Sequence, residues 1–234
     1  NTVGYYNNAT PQVITEGGQS YFVMANANVT GTKFVKNSVE MVPEAATRGY
    51  QFMTIEDALR FADGGSTVKL LADVTLSETY VNNKTLTIDL NGKTLSTALA
   101  DGSTTNHLYA IHNYGELTIT DSSDAKTGKI SARGIFNYGT MTLENGTINA
   151  IDGNGGYGVR NYAGATFTMN GGTIATTLED DNKVDKGGYD ASPVRVDEGA
   201  TFTMNGGVIN NICDFTVAID NYGTTIINDG KATT

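Results

Sequence analysis

Apolar residues in the C-terminal two thirds of the chain alternate with polar ones, in short runs that end at Asn and Gly. The clearest alternating pairs are Leu117 and Ile119, Met141 and Leu143, Phe167 and Met169, and Phe202 and Met204. A period of two is typical of β-strands with one buried face, whereas an amphipathic helix repeats its apolar residues every 3.6 positions. The pattern therefore predicts short strands joined by Asn/Gly turns.

These runs are copies of one repeat. Equivalent positions are separated by 24, 26, 35 and 23 residues: Ile119, Leu143, Met169, Met204 and Ile227. An earlier copy spans residues 85–95. A unit of this length cannot bury its inward row alone and is stabilised by stacking on the next unit. We therefore predict an all-β fold with a parallel β-solenoid of about 24 residues per coil.

The chain divides into two predicted regions. Residues 1–48 do not match the repeat and are predicted to form a β-rich arm or linker, whereas residues 49–234 form the solenoid. A short helix is predicted over about 54–62, with Thr54 as its N-cap and Gly64–Gly65 at its end. Its apolar face needs a partner, so we expect it to cover the N-terminal end of the solenoid. The longest excursion between aligned strands is a loop over about 177–190.

The repeats resemble a known group of proteins. The sequences Phe-Thr-Met-Asn-Gly-Gly-Thr-Ile, Ile-Asp-Leu-Asn-Gly-Lys-Thr-Leu and Val-Lys-Leu-Leu-Ala-Asp-Val are similar to right-handed parallel β-helices of the pectate-lyase-like superfamily. They resemble more closely the adhesin-type repeat regions of bacterial cell-surface proteins. The resemblance covers about residues 50–234 and implies a right-handed parallel β-helix with an N-terminal capping helix. It implies little about activity, because the superfamily contains lyases, hydrolases and non-catalytic adhesins.

Composition excludes several kinds of partner. The chain has 25 acidic and 15 basic residues, a formal charge of −10, and its Lys and Arg are scattered, which argues against nucleic-acid binding. One Cys and two His argue against a disulfide framework and a zinc centre. No apolar run is long enough to span a bilayer, so no membrane insertion is expected. The abundance of Asn, Thr and Gly and the acidic balance favour an extracellular or cell-surface location.

Equivalent residues of stacked units form columns, so a function should appear as a pattern across several units. One column is predicted to be an internal ladder in which each side-chain amide bonds the next: Asn113, Asn137, Asn161 and Asn221. The tyrosines that follow these residues are expected to pack on one another, and the alternative is an aromatic surface for a sugar.

An outward column is the most chemically varied. It contains His112, Phe136, Arg160 and Arg195, and Asp220 lies on the last unit. It combines an aromatic face with donors that bind carboxylates in a bidentate manner, so we interpret it as a candidate binding strip for a surface glycan or a protein. The alternative is an ordinary solvated face.

The 177–190 loop contains the only dense group of carboxylates. Glu179, Asp180, Asp181 and Asp185 offer several oxygen ligands, which suggests a weak Ca²⁺ site, although their spacing is not that of an EF-hand. The alternative is a solvated acidic loop. No other cofactor is expected.

The leading functional hypothesis is a non-catalytic, extracellular, adhesin-type module that presents a binding surface. A polysaccharide hydrolase needs paired carboxylates on neighbouring strands, and the repeat strands carry mainly Thr, Asn, His, Phe and Arg outward. The second hypothesis is a structural subunit of an extracellular filament or a virus-like appendage, which self-associates through the solenoid ends or residues 1–48. The third is a polysaccharide lyase or hydrolase.

Overall fold

The structure is a computed structural model. It describes residues 5–7, 12–26, 33–36, 39–41, 44–101, 103, 106–151, 156–177, 192–211 and 217–233. Over these residues the protein is all-β with one short helix. No helix in the described ranges has the length and apolar character needed to cross a membrane.

The N-terminal part contributes short strands and the helix. They are β1 (Tyr5–Asn7), β2 (Gln12–Glu16), β3 (Gln19–Asn26), β4 (Lys33–Lys36), β5 (Val39–Met41), β6 (Ala45–Thr47), β7 (Tyr50–Phe52) and α1 (Ile55–Phe61). Strands β1, β4 and β5 form a small sheet, while β2 and β3 form an antiparallel hairpin, as do β6 and β7.

The remaining strands belong to three larger sheets. Sheet A continues from the N-terminal hairpins through β8 (Ser66–Leu70), β11 (Thr85–Asp89), β14 (Glu116–Thr120), β17 (Thr140–Leu143), β20 (Thr166–Met169), β23 (Thr201–Met204) and β26 (Thr224–Ile227). Sheet B contains β9 (Val74–Leu76), β12 (Thr94–Thr97), β15 (Lys129–Ala132), β18 (Thr147–Ile151), β21 (Thr173–Thr177), β24 (Val208–Asn210) and β27 (Lys231–Thr233). Sheet C contains β10 (Tyr80–Asn82), β13 (Ile111–Asn113), β16 (Ile135–Asn137), β19 (Val159–Asn161), β22 (Val194–Val196) and β25 (Ile219–Asn221).

From β8 to β27 the strands of each sheet are parallel, and neighbours in a sheet come from consecutive repeat units. Along the chain, successive strands lie in sheets C, A and B in turn. In sheet A, Ile119 pairs with Leu143, Leu143 with Met169, Met169 with Met204, and Met204 with Ile227. This register confirms the alignment of the repeats, including the unit that carries the 35-residue spacing.

One apolar cluster joins the three sheets. Buried side chains recur at every second position of the repeat strands, as in Leu117 and Ile119 of sheet A, Ile130 of sheet B and Ile111 of sheet C. The period of two therefore arises because one face of each strand meets this core while the other faces solvent.

Helix α1 packs at the N-terminal end of this core. It contacts β3, β6, β7, β8 and β9, and Thr54 is its N-cap, whose hydroxyl accepts the Asp57 N–H at 3.2 Å. The Lys84 ammonium donates to the carbonyls of Leu59, at 2.8 Å, and Ala62, which ties the last turn to the repeats.

The boundary predicted between residues 48 and 49 lies within one sheet of the structure. It falls at the turn of the β6–β7 hairpin, and both strands belong to sheet A, where β6 pairs antiparallel with β8. Hairpin β2–β3 joins the same sheet through β7. The sequence break reflects a change from antiparallel to parallel pairing within one sheet.

Candidate functional site

The outward column of sheet C aligns the predicted residues. His112 pairs with Phe136, Phe136 with Arg160, Arg160 with Arg195, and Arg195 with Asp220. On the first four of these strands the two flanking residues are buried. We call the outward side chains of sheet C, the residues that directly follow its strands, and the adjacent Tyr109 and Arg133 the aromatic–arginine face.

Aromatic rings fill the half of this face nearer the N-terminal end. The centre of the Phe136 ring lies 3.9 Å from that of the Tyr109 ring and 5.2 Å from that of the His112 ring. The planes of the Phe136 and His112 rings are nearly parallel, with an angle of 7° between them. Burial lowers the pKa of His112, whose Nε2 is buried with no hydrogen-bond partner in the described part of the chain. At neutral pH the His112 imidazole is therefore an uncharged member of an aromatic cluster.

A stack of three tyrosines runs beside this cluster. The ring centres of Tyr114 and Tyr138 are 4.6 Å apart, and the angle between the ring planes is 5°. For Tyr138 and Tyr162 the distance is 4.3 Å and the angle is 16°. Burial, together with a hydrogen bond to the Tyr162 side chain, raises the pKa of Tyr138 to about 12. The predicted tyrosine column is thus a face-to-face stack over three units, in which the rings serve as each other's packing partners.

In the other half of the aromatic–arginine face, the Asp197 carboxylate binds two arginine side chains. Asp197 accepts from Arg160 Nε at 3.0 Å and from Arg195 Nε at 2.8 Å, and Arg195 Nη1 also donates to Asp220 at 2.9 Å. The hydrogen bond to Asp197 is the main reason that the pKa of Arg195 is raised above its usual value. The Arg160 guanidinium lies 4.4 Å from the centre of the Tyr162 ring.

Asp197 was not among the predicted site residues. Its signal in the sequence is a departure from the repeat, because Val196-Asp197 stands where four other units have Asn-Tyr. The carboxylate consequently occupies the tyrosine position of its unit, between Tyr162 and Tyr222, and interrupts the ring column there.

The asparagine ladder runs on the inward side of the same strands. Asn113 Nδ2 donates to Asn137 Oδ1 at 2.8 Å, and Asn137 Nδ2 donates to Asn161 Oδ1 at 2.7 Å. The ladder also includes Asn82, which donates to Asn113 at 2.8 Å. The prediction that Asn221 belongs to it is wrong. Val196 pairs between Asn161 and Asn221, and the exposed Asn221 side chain accepts instead from Thr225.

The predicted calcium ligands lie outside the described residues. This applies to Glu179, Asp180, Asp181 and Asp185. Among the residues that the structure does describe, no group of three or more His, Cys, Asp or Glu is arranged to hold a metal ion.

Comparison with known proteins finds no matching family model, no similar curated protein and no similar solved structure. Evidence on the function of this protein therefore comes from the geometry of the aromatic–arginine face.

Proposed function

We propose that the three parallel sheets are the faces of one right-handed parallel β-helix, and that this protein is a non-catalytic, extracellular or cell-surface module of adhesin type. In this proposal the aromatic–arginine face binds a surface glycan or a protein. The observation that carries the proposal is the continuity of this face, in which aromatic and guanidinium groups from consecutive strands lie side by side.

The composition of the face suits recognition. Binding surfaces are enriched in Tyr, Phe and Arg, because these side chains offer large contact areas with few rotatable bonds and directed hydrogen bonds. Three of the five arginines of the chain contact rings on this face: Arg133, Arg160 and Arg195. These contacts restrict the arginine and aromatic side chains before a ligand binds, which lowers the entropic cost of binding.

The carboxylates of the face support a non-catalytic role. A glycosidase needs one carboxyl group as an acid and another as a nucleophile or base. Asp197 and Asp220 are both engaged by Arg195, and Asp197 is also engaged by Arg160. Their oxygens hold the guanidinium groups in place, which is a structural use of the carboxylates.

Affinity electrophoresis against a panel of soluble neutral and acidic polysaccharides tests the proposal, with surface-immobilised extracellular matrix proteins as a second panel. We expect retardation or capture by at least one member, and loss of it in Phe136→Ala. The control is Ile226→Ala, which removes an exposed apolar side chain from sheet A. Reducing-end or unsaturated products from any polysaccharide, with or without Ca²⁺, would show an enzyme instead.

A second candidate function is self-assembly, and one observation favours it. Ile227 is 55% exposed, although Met204, its neighbour in the same column, is fully buried. The three edge strands β25, β26 and β27 lie at this same end of the sheets. At the opposite end β6 covers sheet A, so simple head-to-tail stacking is obstructed there. Concentration-dependent growth in light scattering that Ile227→Lys abolishes would favour assembly, and a constant monomer mass would refute it.

A further inference from the structure

Among the described residues, the tyrosine stack has one open ring face. Three stacked rings have six faces, and Tyr138 uses both of its faces on Tyr114 and Tyr162. The second face of Tyr162 is covered by Arg160, whose guanidinium turns toward Asp197 in the next repeat unit. The remaining face is the outer face of Tyr114, a residue that is 53% exposed.

Two polar residues neighbour Tyr114: Asn83 occupies the same column in the preceding unit, and Glu116 follows two positions later in the chain. Asn83 precedes Tyr114 in the column, because Asn82 pairs with Asn113 and accepts the Tyr114 N–H at 2.8 Å. The Asn83 side chain is exposed and is too short to cover the ring. The exposed Glu116 carboxylate accepts a hydrogen bond from the Thr85 hydroxyl at 3.2 Å.

No cation is directed at this position within the described part of the chain. The Lys84 ammonium is engaged by helix carbonyls, and burial lowers its pKa. Arg160 lies two strands away from the unit of Tyr114, about 10 Å along the sheet. Within its own repeat unit, the charged residue nearest to Tyr114 along the chain is Glu116, two positions later.

We propose that the outer face of Tyr114 is the stacking subsite for one neutral pyranose ring, and that Asn83 and Glu116 bond its hydroxyl groups. This inference rests on the proposed function, because it names the part of the aromatic–arginine face that holds the sugar. A pyranose presents an apolar face of C–H groups, which packs against an aromatic ring, and its hydroxyls suit an amide and a carboxylate. An anionic sugar would be repelled by Glu116.

Two variants remove the subsite in opposite ways. Tyr114→Ala deletes the ring, while Asn83→Tyr places a fourth ring on the stack and covers the open face without deleting any contact. Tyr114→Phe retains the face and serves as the conservative variant. Ile226→Ala is the control, since Ile226 is 45% exposed and lies on sheet A, outside the aromatic–arginine face.

The assay is affinity electrophoresis in gels that contain a neutral β-glucan, galactan or mannan, or an acidic polysaccharide. We expect Tyr114→Ala and Asn83→Tyr each to weaken binding to the retained neutral polymer about tenfold, and Tyr114→Phe and Ile226→Ala to change it less than about twofold. Glu116→Gln should increase affinity for the acidic polymer.

The subsite is refuted if Asn83→Tyr binds the neutral polymer as tightly as wild type, or if only acidic polymers are bound. If Phe136→Ala abolishes binding and both subsite variants leave it unchanged, the proposed function stands and the subsite does not. If wild type binds neither the polysaccharides nor the matrix proteins, the proposed function itself fails.

Discussion

Replacing Asn137 by Ala should destabilise the protein more than any exposed substitution on the same sheet. Asn137 is fully buried, and its Nδ2 donates to Asn161 Oδ1 at 2.7 Å and to the Thr166 carbonyl at 3.0 Å. Its Oδ1 accepts from Asn113 Nδ2 at 2.8 Å. The side chain thus links three consecutive repeat units.

The magnitude follows from the groups that lose a partner. Asn113 Nδ2 retains the Thr140 carbonyl at 2.9 Å, so its loss is partial. Asn161 Oδ1 and the Thr166 carbonyl both lose the Asn137 amide. A buried polar group left without its partner costs about 1–3 kcal/mol. Two such groups at the lower part of this range give a loss of about 2–4 kcal/mol, a large fraction of the stability of an ordinary domain.

Urea denaturation followed by circular dichroism measures the effect. The midpoint should fall for Asn137→Ala, and the signal should be checked for a single transition because repeat arrays can unfold in parts. The control is Asn221→Ala at the equivalent position of the last unit, which should change stability by less than about 0.5 kcal/mol. Equal stability losses for the two variants would refute the assignment of the ladder, as would a wild-type midpoint for Asn137→Ala.

Substitutions at four further positions have expected effects on stability or on local protection. Burial opposes ionisation of Asp121, but hydrogen bonds from Ser123, Gly128 and Gly92 outweigh it and lower its pKa. Its contribution is therefore present above the unfolded-state pKa and is lost as pH falls through the folded-state pKa, so Asp121→Asn should be less stable than wild type in urea at neutral pH and similar in strong acid. Lys84→Met should speed hydrogen exchange in α1 by mass spectrometry while leaving sheet C protected. Gly139→Ala should lower the urea midpoint by the equivalent of about 3 kcal/mol, because its Cβ would lie 2.2 Å from a neighbouring carbonyl oxygen. Gly164→Ala, with open space around it, should cost about 1 kcal/mol through its positive φ alone.

Some features of the site could be predicted because they depend only on the repeat. A side chain at the middle of each sheet C strand points outward, and units of similar length stack in register, so His112, Phe136, Arg160 and Arg195 had to share a column. The same reasoning failed for Asn221, where the intervening unit has Val196 in the column. An alignment that passes over one unit joins residues that are not neighbours in the stack.

Other features of the site depend on the orientations of the side chains. Repeat spacing predicts a column of tyrosines. Only the ring planes reveal that the rings stack on each other and that, among the described residues, no ring stacks on the outer face of Tyr114. The role of Asp197 likewise depends on both guanidinium groups bending toward it, which no spacing encodes.

The sequence by itself therefore determined the strands, the period and the membership of the columns, because alternation and repeat length are local and one-dimensional properties. The tertiary structure decided which ring faces, carboxylates and amides remain available, because this depends on contacts between side chains of different units. The N-terminal hairpins share sheet A with the repeats because β6 pairs with β8. This pairing is also non-local, and the break in the repeat pattern gave no indication of it.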